Sequence, residues 1–259
     1  MKEVSGKRGQ VTLFVILAIV IVVAGVLIYF FYPGITSTSM NFDENPNTYF
    51  QNCVEDSLED NLILIGSQGG SIEPKGSFTY MGEEVEYLCY TNQYYAPCVV
   101  QRAALVSSME SELKDAMMET VDDCYSQMRN DYSSKGYEVN LDKKDFSVNL
   151  LPNEVDLESE SVFEISKSGT QRYEGFSVVV DNNIYELASI SRGIVAWEVA
   201  YGDAEVTMFM DYFPNVKVEK FLQSDGTKIY VLTDRETGDK FQFASRSIVW
   251  PAGIVMPEA

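Results

Sequence analysis

The feature that most constrains this chain is an uncharged, apolar run near its start, residues 13–32, which reads LFVILAIVIVVAGVLIYFFY. A helix of this length extends about 30 Å, the thickness of the hydrocarbon core of a bilayer. Lys2, Lys7 and Arg8 lie before the run, and no basic residue follows it closely. Because basic residues stay on the cytoplasmic side of a membrane, the sequence predicts a cytoplasmic N-terminus (residues 1–12), a single helix through the lipid bilayer, and an extracytoplasmic C-terminal part.

A cleaved secretory signal peptide is the first alternative to a permanent anchor. Such peptides have a shorter apolar region that ends at a cleavage site of small residues. Here the run ends in residues 29–32, Tyr-Phe-Phe-Tyr, and such aromatic residues are typical of the interface between a membrane and water. The sequence therefore favours an anchor that is kept, followed by a linker over residues 33–43 that is rich in Ser and Thr.

The residues just before the run carry a resemblance to a known family. Residues 7–12 read Lys-Arg-Gly-Gln-Val-Thr, and this segment resembles the processing site of archaeal type IV pilin-like proteins. The resemblance covers roughly residues 1–32 and implies cleavage between Gly9 and Gln10, after which the apolar helix would pack into a filament. That family usually has Glu at the fifth mature position, where this chain has Phe14.

The same start is also similar to the KRGQVT-type N-terminus of uncharacterised archaeal membrane-anchored surface proteins. This second resemblance implies a place at the cell surface and no particular activity.

Beyond its first residues the chain is strongly acidic. Asp and Glu number 39 against 19 Lys and Arg, and the formal net charge is −20, although the first nine residues are net positive. A negative field of this kind repels nucleic acid and anionic lipid headgroups, so no nucleic-acid partner is expected, while a protein partner or self-assembly stays open. The chain contains no histidine, which removes the commonest metal ligand and proton carrier from any mechanism.

Two helices are predicted in residues 44–135, which we expect to form a helical subdomain. The first begins near Pro46, which suits the first turn of a helix, and ends at the glycines of residues 66–70. The second covers residues 103–131. In both, apolar residues recur at steps of three and four, which is the spacing of one buried helix face.

Four cysteines lie in the same part of the chain, and an even number in an extracytoplasmic domain favours disulfides. Cys53 and Cys124 each fall on the apolar face of a predicted helix, so packing of the two helices predicts a bond between them. Cys89 and Cys98 are separated by eight residues and predict a second, local bond. Four cysteines allow three pairings, and a zinc site is the rival interpretation, although the sequence has no CxxC pair.

Residues 136–259 change to short alternating segments that predict a sheet subdomain. One further helix is expected to begin after Asn183 as its cap, with Glu186 three residues on. Strands are predicted over residues 146–151, 161–165, 174–180, 216–222, 227–232 and 240–244. The predicted fold class is α+β: one transmembrane helix, then an extracytoplasmic helical pair followed by a mainly antiparallel sheet with one further helix.

Two groups of side chains are candidates for binding. Glu154, Asp156, Glu158 and Glu160 recur at every second position, which places their carboxylates on one face of a strand. That face suits a calcium ion or a basic partner, although protection of an edge strand is the commoner cause of such a row. Tyrosines at positions 90, 94 and 95, in the loop between the second pair of cysteines, are candidates for stacking on a sugar.

No set of residues predicts catalysis, a cofactor or a metal centre. A cysteine nucleophile needs a base, and the usual base, histidine, is absent from the chain. The segment from Ser111 to Lys114 matches a Ser-x-x-Lys pattern but lies in a predicted helix without the companion motifs. The sequence therefore predicts a membrane-anchored surface protein with a structural or interaction role, with a processed pilin-like subunit and a binding module for a cation, glycan or protein as alternatives.

Overall fold

The computed structural model describes residues 45–247. The predicted cytoplasmic N-terminus, transmembrane helix and linker (1–12, 13–32 and 33–43) and the Gly9–Gln10 processing site lie outside these residues. The helices are α1 (Pro46–Ser67), α2 (Leu105–Ser134), α3 (Ile184–Tyr201) and α4 (Val206–Tyr212). The strands are β1 (Ser77–Tyr80), β2 (Glu83–Tyr90), β3 (Val99–Val100), β4 (Glu138–Asp142), β5 (Phe146–Leu151), β6 (Glu154–Ser166), β7 (Thr170–Asp181), β8 (Val216–Leu222), β9 (Lys228–Asp234) and β10 (Lys240–Arg246).

The first two helices form the predicted pair. The side chain of Asn45 caps α1 by accepting a hydrogen bond from the backbone N–H of Asn47 at 3.0 Å, and Pro46 occupies the first turn. The apolar residues at helical spacing are buried in both helices. Cys53 and Cys124 lie on these facing surfaces with their Cα atoms 5.9 Å apart and are bonded, as the sequence predicts.

A four-stranded antiparallel sheet packs against this helical pair. β6 is its central strand. On one side, β5 pairs with the first half of β6 and β4 with the second half, and on the other side β7 pairs with β6. The ring of Phe176 in β7 lies 5.3 Å from that of Phe50 in α1 and 5.5 Å from that of Tyr125 in α2, centroid to centroid. These aromatic contacts form the core between sheet and helices.

A second sheet has six strands in the order β1-β2-β10-β9-β8, with β3 also paired to β2. Its pairs are antiparallel except for β2 with β10, which is parallel. This sheet takes strands from both sides of residue 135, because β2 comes from the predicted helical part and β10 from the predicted sheet part. The rings of Tyr230 and Phe243 stack on its α3 side at 5.1 Å.

The α+β class with mostly antiparallel sheets is confirmed, with several differences. Strands β1, β2 and β3 in residues 77–100, and strand β4, are not predicted from the sequence. The short helix α4 is also unexpected, because none of its residues is buried and it shows no apolar periodicity. At the start of α3, Asn183 is the cap residue, but its side chain makes no capping bond; the neighbouring Asn182 accepts from the N–H of Ile184 at 2.9 Å instead.

Within residues 45–247, no helix has the length and apolar character needed to cross a membrane.

Candidate binding site

The loop that the second disulfide closes lies at one end of the six-stranded sheet. Cys89 in β2 and Cys98 just before β3 are bonded, with Cα atoms 5.4 Å apart, as the sequence predicts. The backbone N–H of Cys98 donates to the Ser247 hydroxyl at 3.0 Å, and the N–H of Thr91 donates to the carbonyl of Arg246 at 3.0 Å. The loop is therefore fixed at both ends to the strand β10 and the residue that follows it.

Three tyrosines and one arginine form an aromatic surface beside this loop. The rings of Tyr87 and Tyr90 meet edge to face at 4.8 Å. The guanidinium of Arg246 lies 6.0 Å from the ring centre of Tyr90 and 5.7 Å from that of Tyr94. Tyr94 is 70% exposed and Tyr90 37% exposed, so part of this aromatic surface faces solvent.

Arg246 is held by the backbone, which leaves its planar face over the tyrosines. Its Nη1 donates to the carbonyl of Thr91 at 2.5 Å, and its Nε donates to the carbonyl of Asp225 at 3.1 Å. Both acceptors are neutral, so the positive charge of Arg246 is not cancelled by a carboxylate in these contacts. The site thus combines aromatic faces with a fixed cation.

A chain of hydrogen bonds orients Tyr87. The Thr227 hydroxyl donates to Oδ2 of Asp225 at 2.9 Å, so the Tyr87 hydroxyl, 2.8 Å from Thr227, is the donor in their contact. Burial raises the pKa of Tyr87. Tyr87 therefore stays neutral at physiological pH and keeps its proton for hydrogen bonding.

Of these residues, Tyr87, Tyr90 and Asp225 line a groove of about 720 Å³, a volume within the range of small-ligand sites. Its lining mixes aromatic, charged and amide groups: Lys75, Gly76, Ser77, Phe78, Glu86, Tyr87, Tyr90, Gln101 and Asp225. Such a lining can offer ring faces to the C–H groups of a sugar and donors and acceptors to its hydroxyls. We call it the tyrosine groove.

The acidic row lies on the solvent side of β6. Glu154, Glu158 and Glu160 are exposed and Asp156 is half-buried, whereas the residues between them face the core. The edge-strand interpretation of this row is wrong, because β6 is paired on both sides. Burial and the neighbouring Glu158 and Glu154 raise the pKa of Asp156 to about 6.

The carboxylates of this row follow a strand, in which alternate residues are roughly 7 Å apart. Among the described residues, no group of three or more His, Cys, Asp or Glu side chains is arranged to hold a metal ion. Binding of a cation by Glu154, Asp156, Glu158 and Glu160 stays a prediction.

A buried charged network under the six-stranded sheet is the other notable cluster. Nζ of Lys228 donates to both carboxylate oxygens of Glu198, at 3.0 and 2.9 Å, and to the carbonyl of Gly202. The Tyr230 hydroxyl donates to the same carboxylate, and Ser245 donates to it at 3.1 Å. Glu198 is fully buried and the three donors of Lys228 are engaged, so this network holds α3 against the sheet.

The sequence pattern indicates the tyrosines of the loop but not Tyr87, Arg246 or Asp225. Tyr87 belongs to β2, which is not predicted. Asp225 lies between the predicted strands 216–222 and 227–232, and a position between two strands gives no reason to expect a ligand groove. Arg246 reaches the loop only through the parallel pairing of β10 with β2, and no local pattern encodes that pairing.

Comparisons with protein-family models, with curated proteins and with solved structures find no match to this chain.

Proposed function

We propose that this chain is a single-pass, membrane-anchored extracytoplasmic protein whose folded domain is a binding module for carbohydrate at the tyrosine groove. The proposed role is binding, since the groove offers aromatic faces and hydrogen-bonding groups. The apolar run of residues 13–32 is the proposed anchor.

The two disulfides support an extracytoplasmic location. All four cysteines are paired, and disulfides form and persist mainly in oxidising environments. The basic residues before the apolar run support the same orientation.

The observation that carries the proposal is the pair of tyrosine rings, Tyr87 and Tyr90, that line a polar groove, with the cation of Arg246 6.0 Å from the ring centre of Tyr90. An aromatic ring carries negative charge density on its face, which attracts the C–H groups of one face of a sugar ring. Glu86, Gln101 and Asp225 at the groove provide partners for sugar hydroxyls.

A glycan panel tests this proposal with the full chain in a neutral detergent. We expect saturable binding of at least one neutral oligosaccharide, weakened roughly two- to tenfold by Tyr90→Ala, since one aromatic contact contributes about 0.5–1.5 kcal/mol. Tyr212→Ala is the matched control, because Tyr212 is a 78% exposed tyrosine on α4. Absence of binding to every member of the panel, or an equal loss in both variants, would overturn the proposal.

The mass of the mature N-terminus separates the anchored protein from the pilin-like alternative. A chain that begins at residue 1 or 2 supports the anchor. A chain that begins at Gln10 supports the processed subunit, in which the same apolar helix would pack into a filament.

A further inference from the structure

A second groove, distinct from the tyrosine groove, lies between α3 and the segment of α4 and its following loop. Its volume is about 530 Å³, within the range of small-ligand sites. The walls include four aromatic side chains, those of Tyr185, Phe209, Tyr212 and Phe213. We call it the α3–α4 groove.

On the α4 side of the groove, the ring of Phe209 packs closely against α3. A Cβ atom on Gly193 of α3 would lie 3.1 Å from the ring of Phe209, so the absence of a side chain at Gly193 lets that ring approach the helix. Phe209 also packs edge-on against Trp197 at 6.2 Å. Tyr212 and Phe213, by contrast, are 78% and 44% exposed, which leaves a large apolar surface open to a ligand.

The charged residues that line this groove all have the same sign. Among the described residues, its lining contains Glu186, Asp234 and Glu236 but no lysine or arginine. Asp234 already accepts from the backbone N–H groups of Glu236 and Thr237, at 2.8 and 3.1 Å. Both of these bonds are accepted by Oδ1 of Asp234.

Glu186 has an unused acceptor. Its Oε1 accepts from the backbone N–H of Asn153 at 3.1 Å. Its Oε2 is shielded from solvent and has no hydrogen-bond donor among the described residues. A shielded carboxylate oxygen without a donor costs free energy, and the terminal torsion of a glutamate is broad. A small rotation would therefore let Oε2 meet a donor that enters the groove.

We propose that the α3–α4 groove binds an organic ammonium ion that carries an apolar body. The ammonium group would donate to Glu186, and the aromatic walls would attract it through cation–π contacts while they cover the apolar body. Each observation selects part of this ligand: the aromatic walls select the apolar body, and the carboxylates select the positive charge.

Charge also argues against a second copy of this domain as the occupant. The chain is strongly acidic, and apposition of two such surfaces at a groove lined by carboxylates is repulsive. An anionic ligand is disfavoured for the same reason. A neutral apolar ligand would leave Oε2 of Glu186 without a donor.

Calorimetric titration with three probes of the same apolar body tests the proposal: phenethylammonium, 2-phenylethanol and 3-phenylpropionate, each added to the full chain in neutral detergent. We expect phenethylammonium to bind saturably and the other two at least tenfold more weakly. Glu186→Gln should weaken phenethylammonium binding about tenfold or more, because a hydrogen bond to a charged group is lost to a neutral one. The amide oxygen can still accept from Asn153, which should preserve the fold.

Two variants serve as controls for this titration. Glu59→Gln removes the same charge from the exposed face of α1 and should leave the affinity within twofold of the parent. Tyr212→Ala removes part of the aromatic wall and should weaken the binding of phenethylammonium. Equal affinity for the alcohol, an unchanged affinity in Glu186→Gln, or no binding of phenethylammonium to a protein with an unaltered melting curve would overturn the proposal.

Discussion

At the scale of single residues, Glu198 and Lys228 illustrate how a buried ion pair works in this fold. The side chain of Glu198 is fully buried and that of Lys228 is 9% exposed. Such a pair contributes little net stability compared with apolar residues of the same volume, but loss of one partner leaves a buried charge without compensation. The free energy of unfolding should therefore depend on the pair as a unit.

Lys228→Met is expected to lower the free energy of unfolding by about 3–5 kcal/mol, because Glu198 would keep only the donors Tyr230 and Ser245. The double variant Glu198→Leu/Lys228→Met should recover a large part of that loss. Urea denaturation of the single and double variants measures this coupling. Lys143→Met is the control, since the Lys143–Asp122 pair is exposed and should change stability by less than about 1 kcal/mol. Purely additive losses would contradict the prediction.

Asp156 makes the free energy of unfolding depend on pH. Unlike a stabilising ion pair, its ionised carboxylate destabilises the folded state. Its pKa is raised from 3.8 to about 6 by burial and by the nearby carboxylates of Glu158 and Glu154. The folded state therefore binds this proton more tightly than the unfolded state, and the contribution to stability is lost as the pH rises from about 4 through about 6.

Asp156→Asn should stabilise the domain at pH 7–8 by on the order of 1 kcal/mol, a value reduced for partial exposure to solvent. The gain should shrink as the pH falls through about 6 towards 4 and vanish only well below the unfolded-state pKa of 3.8, where Asp156 is protonated in both states. Thermal or urea unfolding across this pH range measures the difference. Glu160→Gln removes a charge from the exposed end of the same row and should give a smaller gain; an equal gain at every pH would refute the assignment to Asp156.

At the scale of elements, the end of α1 is fitted closely to the neighbouring sheet. A Cβ atom on Gly66 would lie 2.5 Å from the backbone carbonyl oxygen of Lys240 in β10. Alanine normally favours a helix over glycine by about 1 kcal/mol, but here the added methyl group must displace backbone. We expect the steric clash with the backbone to outweigh the gain in helix propensity.

Gly66→Ala is therefore expected to destabilise the domain by about 1–3 kcal/mol, measured by urea denaturation. Gly76→Ala is the matched control, because no atom lies within 4 Å of its added Cβ and its φ is not positive. That control should leave stability within about 0.5 kcal/mol of the parent. A Gly66→Ala variant as stable as the control would mean that α1 and β10 are less closely packed.

The elements that the sequence predicts correctly share one property, which is a strong local pattern. The stripe of Phe50, Val54 and Leu58 identifies α1, and the turn at Ser224–Gly226 identifies the hairpin of β8 and β9. By contrast, α4 buries no residue and leaves no periodicity to detect. The inward-facing Ser159 and Ser161 hide the length of β6, because they are polar residues on its core face.

At the scale of the whole molecule, the site depends on contacts that no local pattern reveals. The parallel pairing of β2 with β10 brings Arg246 to the tyrosines of the disulfide loop. β2 and β10 lie far apart in the chain, and both pack against α3. Their pairing is therefore a long-range contact that depends on the tertiary structure. For the same reason, the sequence predicts the tyrosines of the disulfide loop but not Tyr87 or the cation of Arg246.

The two disulfides allow stability to be separated from the binding site. The Cys53–Cys124 bond spans 71 residues and the Cys89–Cys98 bond spans 9. On the chain-entropy model, the longer loop should contribute about 4 kcal/mol and the shorter one about 2.5 kcal/mol. Replacement of each pair by alanine, followed by urea denaturation of the full chain, measures this difference.

Binding should follow the opposite order. The Cys89–Cys98 variant loses less stability but frees the loop that carries Tyr94, so its affinity for a groove ligand should fall several-fold even where the domain remains folded. The Cys53–Cys124 variant should bind normally in the absence of urea, but it should unfold at a lower urea concentration than the parent. A larger loss of affinity in the Cys53–Cys124 variant than in the Cys89–Cys98 variant would contradict this prediction. The Cys89–Cys98 bond would then have a structural role only, and organisation of the tyrosine groove would not depend on it.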